Sequence, residues 1–227
     1  MTEPRSQSKA VLLQDGRVLI YDGFGATTMA ATAQLYDPKT GTFSAVSWPT
    51  GAPYLNSDSV TLLRDGRLLV AGGSDGSNSQ ATAQLFDPVT GTWSPTGSMT
   101  VAREGHSAVL LSDGEVLLAG GITAHQYGYD GSDQQAALSG SDVNLQLDGY
   151  DAPGGNSTGS QAFGMTGPPP TDLTSAELYD PATGKFTSTG SMRTWLPNPT
   201  ATLLLDGRVL FIGQDSKSRE TAELYQP

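Results

Sequence analysis

The residues best suited to chemistry in this chain lie in three short stretches. Arg103-Glu104-Gly105-His106 places a guanidinium, a carboxylate and one of only two histidines within four positions. An imidazole beside a carboxylate and a cation is the composition of a general acid–base site. The same residues serve equally well to tie loops together through backbone carbonyls. The second stretch, Arg193 to Asn198, includes Trp195, whose indole can stack on a sugar ring or cap the apolar end of a sheet. The third spans about residues 122–173 and is dominated by Gly, Ser, Asp and Pro. In it His125, Tyr127, Tyr129 and Tyr150 offer rigid amphipathic area for a glycan or peptide. Asp130, Asp133, Asp142, Asp148 and Asp151 offer the oxygens that calcium prefers. The segments DGSD and DGYD lack the D-x-[DN]-x-[DN]-G order, so calcium is the weaker reading and no other cofactor is indicated. Asn156-Ser157-Thr158 is a glycosylation sequon, with meaning only in a glycosylating host.

Several function classes are disfavoured. No GxSxG elbow, P-loop or HExxH occurs. With no Cys there is neither a disulfide nor a thiolate metal site. Twenty-three carboxylates against 12 Lys and Arg give a net charge of −11, which argues against a nucleic-acid partner and against docking on anionic membranes. The acidity reads as solubility. No apolar signal region opens the chain and no apolar run approaches 18 residues, so no membrane insertion is expected. The expected location is cytoplasmic for the chain as given, or extracellular if it is part of an exported parent.

What positions these stretches is a repeat. Asp-Gly recurs at positions 15–16, 65–66, 113–114 and 206–207, each time after an apolar run. DPxTG recurs at Asp37–Gly41, Asp87–Gly91 and Asp180–Gly184. The third unit keeps the frame of the others but carries an insert of 45 residues between its markers. Each unit reads as four strands, a to d. Strand a is AVLLQ, VTLLR, AVLLS or ATLLL, and strand b is RVLIYDG, RLLVAGG, EVLLAGG or RVLFIGQ. Strand c is TAQLYDP, TAQLFDP, SAELYDP or TAELYQP. Strand d is GTFSAV, GTWSPTG or GKFTSTG, with no fourth copy.

Asp-Gly between two apolar runs predicts a two-residue hairpin turn with positive φ, joining a to b. In DPxTG the Pro presets the first corner, the Asp side chain bonds the backbone and Gly takes the left-handed position. Strand a is apolar at consecutive positions, as in a strand covered on both faces. A four-stranded antiparallel unit recurring every 48–50 residues predicts an all-β fold, a β-propeller with one blade per unit. The expected blades are residues 1–48, 49–98, 99–191 with the insert 122–173, and 192–227, the last lacking strand d.

These residues also resemble the kelch family. Paired glycines end strand b (Gly72-Gly73 and Gly120-Gly121), an aromatic follows in strand c (Tyr36, Phe86, Tyr179), and another lies in strand d (Phe43, Trp93, Phe186). The SM…R…H run before strand a looks like bacterial kelch repeats. Asp22-Gly23 and Gly213-Gln214 replace the glycine pair in units one and four, so those b–c corners are expected to be less regular.

In propellers of this kind partners or substrates bind where the b–c and d–a loops emerge. The resemblance therefore implies a binding face that includes Arg5, Tyr54, Asn56, Arg103, His106, His125, Tyr127, Tyr129, Arg193, Trp195 and Asn198. Galactose-oxidase-like enzymes share the propeller but need a Cys–Tyr cross-link and a pair of histidines for copper. This chain has no Cys, and its histidines are His106 and His125 alone. The expected role is thus non-catalytic recognition of a protein or glycan. The alternatives are a portion of a larger secreted oxidase-like or sugar-epimerase-like enzyme, and a self-assembling module. With no d strand in the last unit, the expected arrangement is an open arc or a strained ring. The outer edge of that blade is a candidate for self-association. Met1 lies 14 residues before Asp15, as Met99 does before Asp113 and Met192 before Asp206, so Met1 is expected to stand at a seam between repeats.

Overall fold

A computed structural model describes residues 8–21, 33–46, 59–75, 78–123, 171–196, 198–215 and 217–226. These residues form strands and turns and include no helix. Blade 1 is β1 (Lys9–Leu12), β2 (Val18–Tyr21), β3 (Ala33–Asp37) and β4 (Thr42–Val46), paired in that order. Blade 2 repeats it with β5 (Ser59–Leu62), β6 (Leu68–Ala71), β7 (Ala83–Asp87) and β8 (Thr92–Pro95). Blade 3 uses β9 (Ser107–Leu110), β10 (Val116–Ala119), β13 (Ser175–Asp180) and β14 (Lys185–Ser191). Its b–c connection also holds a two-residue ladder of β11 (Ile122–Thr123) with β12 (Thr171–Asp172). Blade 4 has, among the described residues, the strands β15 (Thr200–Leu203), β16 (Val209–Gln214) and β17 (Glu220–Tyr225). Four antiparallel blades, the last with three strands among the described residues, make the expected all-β propeller fold.

The strand registers show why the pattern folds this way. One row of every blade runs Leu12–Val18–Tyr36–Phe43, Leu62–Leu68–Phe86–Trp93, Leu110–Val116–Tyr179–Phe186, and Leu203–Val209–Tyr225. The paired aromatics of strands c and d pack at ring separations of 4.8–4.9 Å in the three complete blades. Because side chains alternate along a strand, this row faces the preceding blade and the next row faces the following one. Blade 1 thus gives Leu19, Tyr21, Ala33 and Leu35 to a core with Leu68 and Phe86 of blade 2. Blade 2 gives Leu69, Ala71, Ala83 and Leu85 to a core with Val116, Leu118 and Tyr179 of blade 3. Leu117, Ala119 and Ala176 of blade 3 meet Val209 and Phe211 of blade 4. Hydroxyls extend these contacts: Tyr179 pairs with Thr96 at 2.8 Å, and Tyr225 with Thr189 at 2.7 Å.

The cores join blades 1 to 2, 2 to 3 and 3 to 4, and among the described residues none joins 4 back to 1. Strands β6 and β10 are buried along their whole length, whereas β2 and β16 have a buried side and a more open one.

Two local expectations are corrected. The Asp-Gly turns are not two-residue turns with two positive-φ positions. Leu13 N–H donates to the Arg17 carbonyl and Gly16 N–H to the Leu13 carbonyl, and only Gly16, at φ +86°, is left-handed. This is a three-residue loop of Gln14, Asp15 and Gly16, in which Asp15 instead accepts from the Arg17 backbone and guanidinium. The b–c corner of blade 4 is also more regular than expected. Without a second glycine to turn the chain, the β16–β17 ladder continues to Gln214 opposite Glu220. Asp215 then closes the hairpin by accepting from the backbones of Lys217 and Arg219. The DPxTG reading holds: in blade 1 Asp37 accepts from Lys39 N–H, and Gly41 adopts φ +68°.

Leu69 and Leu224 occupy rows on the same side of their blades, one buried and one about half-exposed. Leu69→Ala is expected to cost about 2–5 kcal/mol, and Leu224→Ala about 0.5 kcal/mol at low protein concentration. Urea unfolding of both variants measures the difference. Equal losses would show that blade 4 is covered on both faces.

Candidate functional site

The loop face is organised by strand c. Its second core position is Gln34, Gln84, Glu177 or Glu223, opposite Ile20, Val70, Leu118 and Phe211 respectively. That row points to the preceding blade, so the side chain reaches the loop that arrives from there. The Glu177 carboxylate accepts Thr100 N–H at 2.7 Å and Val101 N–H at 3.2 Å. Glu223 does the same for Arg193 and Thr194, both at 2.7 Å. Each carboxylate thereby sets the first turn of a d–a loop.

Arg103 completes the device in blade 3. Its side chain is fully buried and bonds Glu177 at 2.9 Å, the carbonyls of Gly120 and Ser175, and the Ser175 hydroxyl. Burial lowers its pKa and the Glu177 charge opposes that shift, so the guanidinium remains ionised. The paired glycines receive the loop. Gly73 N–H donates to the Arg103 carbonyl, and a Cβ on Gly72 would stand 2.6 Å from that same oxygen. Gly121 is as crowded, 2.4 Å from the Glu104 carbonyl. Both glycines also have positive φ, so they are required twice over.

His106 lies between these corners. Its Nε2 is 2.8 Å from the Ser59 hydroxyl of blade 2, and Nδ1 has no hydrogen-bond partner. Burial, then the charges of Arg103 and Lys9, push its pKa down to about 3. The imidazole is therefore neutral at physiological pH and unable to exchange protons there. Glu104 is half-buried, and burial raises its carboxyl above the usual range; a Ser74 hydrogen bond opposes this and the Asp75 charge adds to it. Its backbone pairs with Ile122, the first residue of the insert's stem.

Trp195 and Asn198 belong to the last d–a loop. The Trp195 indole N–H donates to the Gly121 carbonyl at 3.1 Å, leaving the ring half-buried beside the stem. Leu173, at the other end of the stem, donates its N–H to the same Gly121 carbonyl. Asn198 is exposed at φ +45°, with its side-chain oxygen close against Gly105, and Arg193 is exposed. Arg103, Glu104, His106, Trp195 and Asn198 are therefore brought together around the Gly121 corner. Arg5, Tyr54, Asn56, His125, Tyr127, Tyr129 and the aspartates Asp130, Asp133, Asp142, Asp148 and Asp151 lie outside the described residues.

Glu177 and Glu223 went unrecognised in the sequence. Their signal was an acid at an inward strand-c position where the first two units have Gln. Among the described residues no group of three His, Cys, Asp or Glu side chains could hold a metal ion. With no Cys in the chain and His106 bonded to Ser59, the donors present do not fit a copper-radical centre.

Comparison with known proteins agrees with the fold. Residues 58–100 match the family model described as Kelch motif, a span that runs from β5 through β8 and covers blade 2. No curated protein matches the chain. Among solved structures it is similar to a fungal alcohol oxidase of the AA5 family in complex with copper, at 15% identity and a TM-score of 0.56. The match covers 99% of this chain and 53% of the oxidase, so the chain spans about half of that protein's length. A likeness at this identity shows a shared propeller fold.

Two outcomes test the site. Glu177→Leu strands a buried guanidinium and frees two loop N–H groups, with an expected loss of about 3–5 kcal/mol in urea unfolding. A loss below about 1 kcal/mol would mean that Arg103 finds other partners. The depressed His106 pKa means that the unfolded chain binds one more proton than the folded chain between about pH 6.5 and 3. Stability is therefore complete above pH 6.5 and falls as the pH drops through that window, by a few kcal/mol in all, on the order of 1.4 kcal/mol per unit. His106→Asn is expected to flatten the melting temperature between pH 6.5 and 4.5, and an unchanged slope would place the proton elsewhere.

Proposed function

We propose that this kelch-repeat propeller is a recognition module that binds a protein or glycan on its loop face, with the insert of blade 3 as the main contact. The observation that carries this reading is the placement of the insert's stem. Ile122 pairs with Asp172 and Thr123 with Thr171, directly beside the Gly121 carbonyl that Trp195 also holds. The insert thus leaves the scaffold at the corner where the d–a loops of blades 3 and 4 meet. Variable loops on a rigid frame are where binding concentrates.

The polar groups beneath support binding rather than turnover. Arg103 is committed to Glu177 and two carbonyls, and His106 is neutral and buried. Both hold the loops in place. The oxidase among solved relatives leaves an enzymatic alternative in view, but its chemistry has no matching donor set in this chain.

The test is a glycan and peptide array probed with the full chain and with a variant in which residues 124–170 are replaced by a short Gly-Ser turn. Oxidase and epimerase turnover are measured in parallel. The expected result is binding by the full chain that is lost in the variant, while the melting temperature shifts by only about 2–4 °C. Equal binding by both proteins would remove the insert from the site. Turnover without stable binding would favour the enzyme.

A further inference from the structure

The four a–b turns differ in one contact. In each the Asp of Asp-Gly is exposed and the Gly N–H donates to the carbonyl three residues back at 3.0–3.1 Å: Gly16 to Leu13, Gly66 to Leu63, Gly114 to Leu111 and Gly207 to Leu204. In each, one Asp oxygen also accepts the N–H two residues on, at 2.9–3.1 Å. The other oxygen is where they part. Asp15, Asp65 and Asp206 give it to the guanidinium of Arg17, Arg67 and Arg208, with Nε at 2.8, 2.8 and 2.9 Å. In blade 3 the partner position holds Glu115, and among the described residues no donor reaches the second oxygen of Asp113.

We propose that Asp113-Gly114 is a spontaneous modification site, the a–b turn at which this chain rearranges to isoaspartate ahead of the other three. In that reaction the Gly114 nitrogen attacks Cγ of the protonated Asp113 carboxyl. An N–Cγ bond forms, the carboxyl OH leaves as water with the amide proton, and a five-membered succinimide results. Water then adds at the α-carbonyl, the bond from that carbon to nitrogen breaks, and the main chain runs through Cγ. One water leaves and one enters, so the mass is unchanged and no oxidant or cofactor is needed.

A guanidinium on the Asp carboxyl opposes this chemistry. It favours the ionised form, whose oxygen is a poor leaving group, and it fixes the carboxyl away from the attacking nitrogen. The bonds from Arg17 and Arg208 hold the Asp15 and Asp206 carboxyls below their usual range. At Asp65 burial pushes the carboxyl up, and the Arg67 bonds outweigh it. Glu115 brings no such charge: burial raises its own carboxyl, and the neighbouring charges of Asp113 and Asp180 raise it further. The nucleophile is favoured as well. Arg64 of blade 2 donates to the Ser112 and Asp113 carbonyls, and a cation on the Asp113 carbonyl makes the following amide N–H more acidic. The equivalent Gln14 is uncharged and reaches only the Leu63 and Arg64 carbonyls of the blade 2 turn. The product adds a methylene to the β9–β10 connection. Those strands send Leu110, Val116 and Leu118 into the core with blade 2 and Val109, Leu117 and Ala119 into the core with blade 4, so the change bears on both interfaces of blade 3.

Peptide mapping of the folded whole chain, held for weeks at mildly acidic pH, tests this. The β-linked peptide keeps its mass but shifts in retention and fragments differently under electron transfer. Asp113 is expected to convert about two- to fivefold faster than Asp15, Asp65 or Asp206, the factor that an exposed ion pair of ordinary strength sets between two states. Glu115→Arg is expected to bring Asp113 down to the rate of the other turns, and Arg208→Glu to raise Asp206 towards that of Asp113. In urea, where the turn contacts are gone, the four rates are expected to converge. Asp-Gly pairs elsewhere in the chain involve residues outside the described set and are scored separately. Equal rates in the folded chain would overturn the inference. So would an Asp113 lead that persists in urea, which places the cause in the local sequence. A Glu115→Gln variant as slow as Glu115→Arg would also overturn it, because Gln removes the charge of Glu115 without supplying a guanidinium.

Discussion

A single four-stranded blade is apolar on both faces and can cover neither one itself. Everything else in this chain depends on that constraint. Leu69 and Leu68 are neighbours in β6 and point to opposite sides, one into the core with blade 3 and the other into the core with blade 1. Stability is therefore distributed over interfaces between repeats, as in other repeat proteins. Blades 2 and 3 are packed on both sides, whereas among the described residues Leu12 of blade 1 and Ile212 and Leu224 of blade 4 remain exposed.

The loop face inherits its order from the same stacking. A strand-c carboxylate that points to the preceding blade also captures the loop arriving from it, so blade packing and loop shape are one event. Glu177 holds Thr100 and Val101, Arg103 holds Glu177, and the Gly72–Gly73 corner accepts the Arg103 carbonyl at a distance that only glycine allows. Charged groups that resemble catalytic equipment in the sequence are used here as internal fastenings. A buried ion pair contributes little net stability against an apolar substitute but penalises every arrangement in which one partner is left alone. That favours a fixed loop geometry, on which a variable insert can be displayed.

Much of the architecture was legible in the repeat itself. Asp-Gly and DPxTG located the turns, the alternation located the strands, and the paired glycines marked corners where a neighbouring backbone comes close. The turn type between strands a and b was misjudged because Asp15 is satisfied by Arg17, a contact two residues away that a dipeptide pattern does not reveal. The b–c corner of blade 4 was misjudged because a missing glycine pair suggested irregularity. Losing the tight corner in fact lets the β16–β17 ladder run two residues further. Arg103 and His106 were recognisable as noteworthy, but their roles were not. Their partners Glu177 and Ser59 lie 74 and 47 residues away along the chain.

The sequence by itself determined the unit: four short strands, their turns, the apolar rows on both faces and the site of the insert. These are local properties, set by periodicity and by residues that prefer particular backbone angles. Only the tertiary structure decided which apolar faces are covered, which charges are consumed as fasteners, and where the stem of the insert meets Trp195. Those outcomes depend on contacts between blades tens of residues apart. The same Leu at the same register position is core in blade 2 and half-exposed in blade 4, because burial depends on the neighbour and not on the residue.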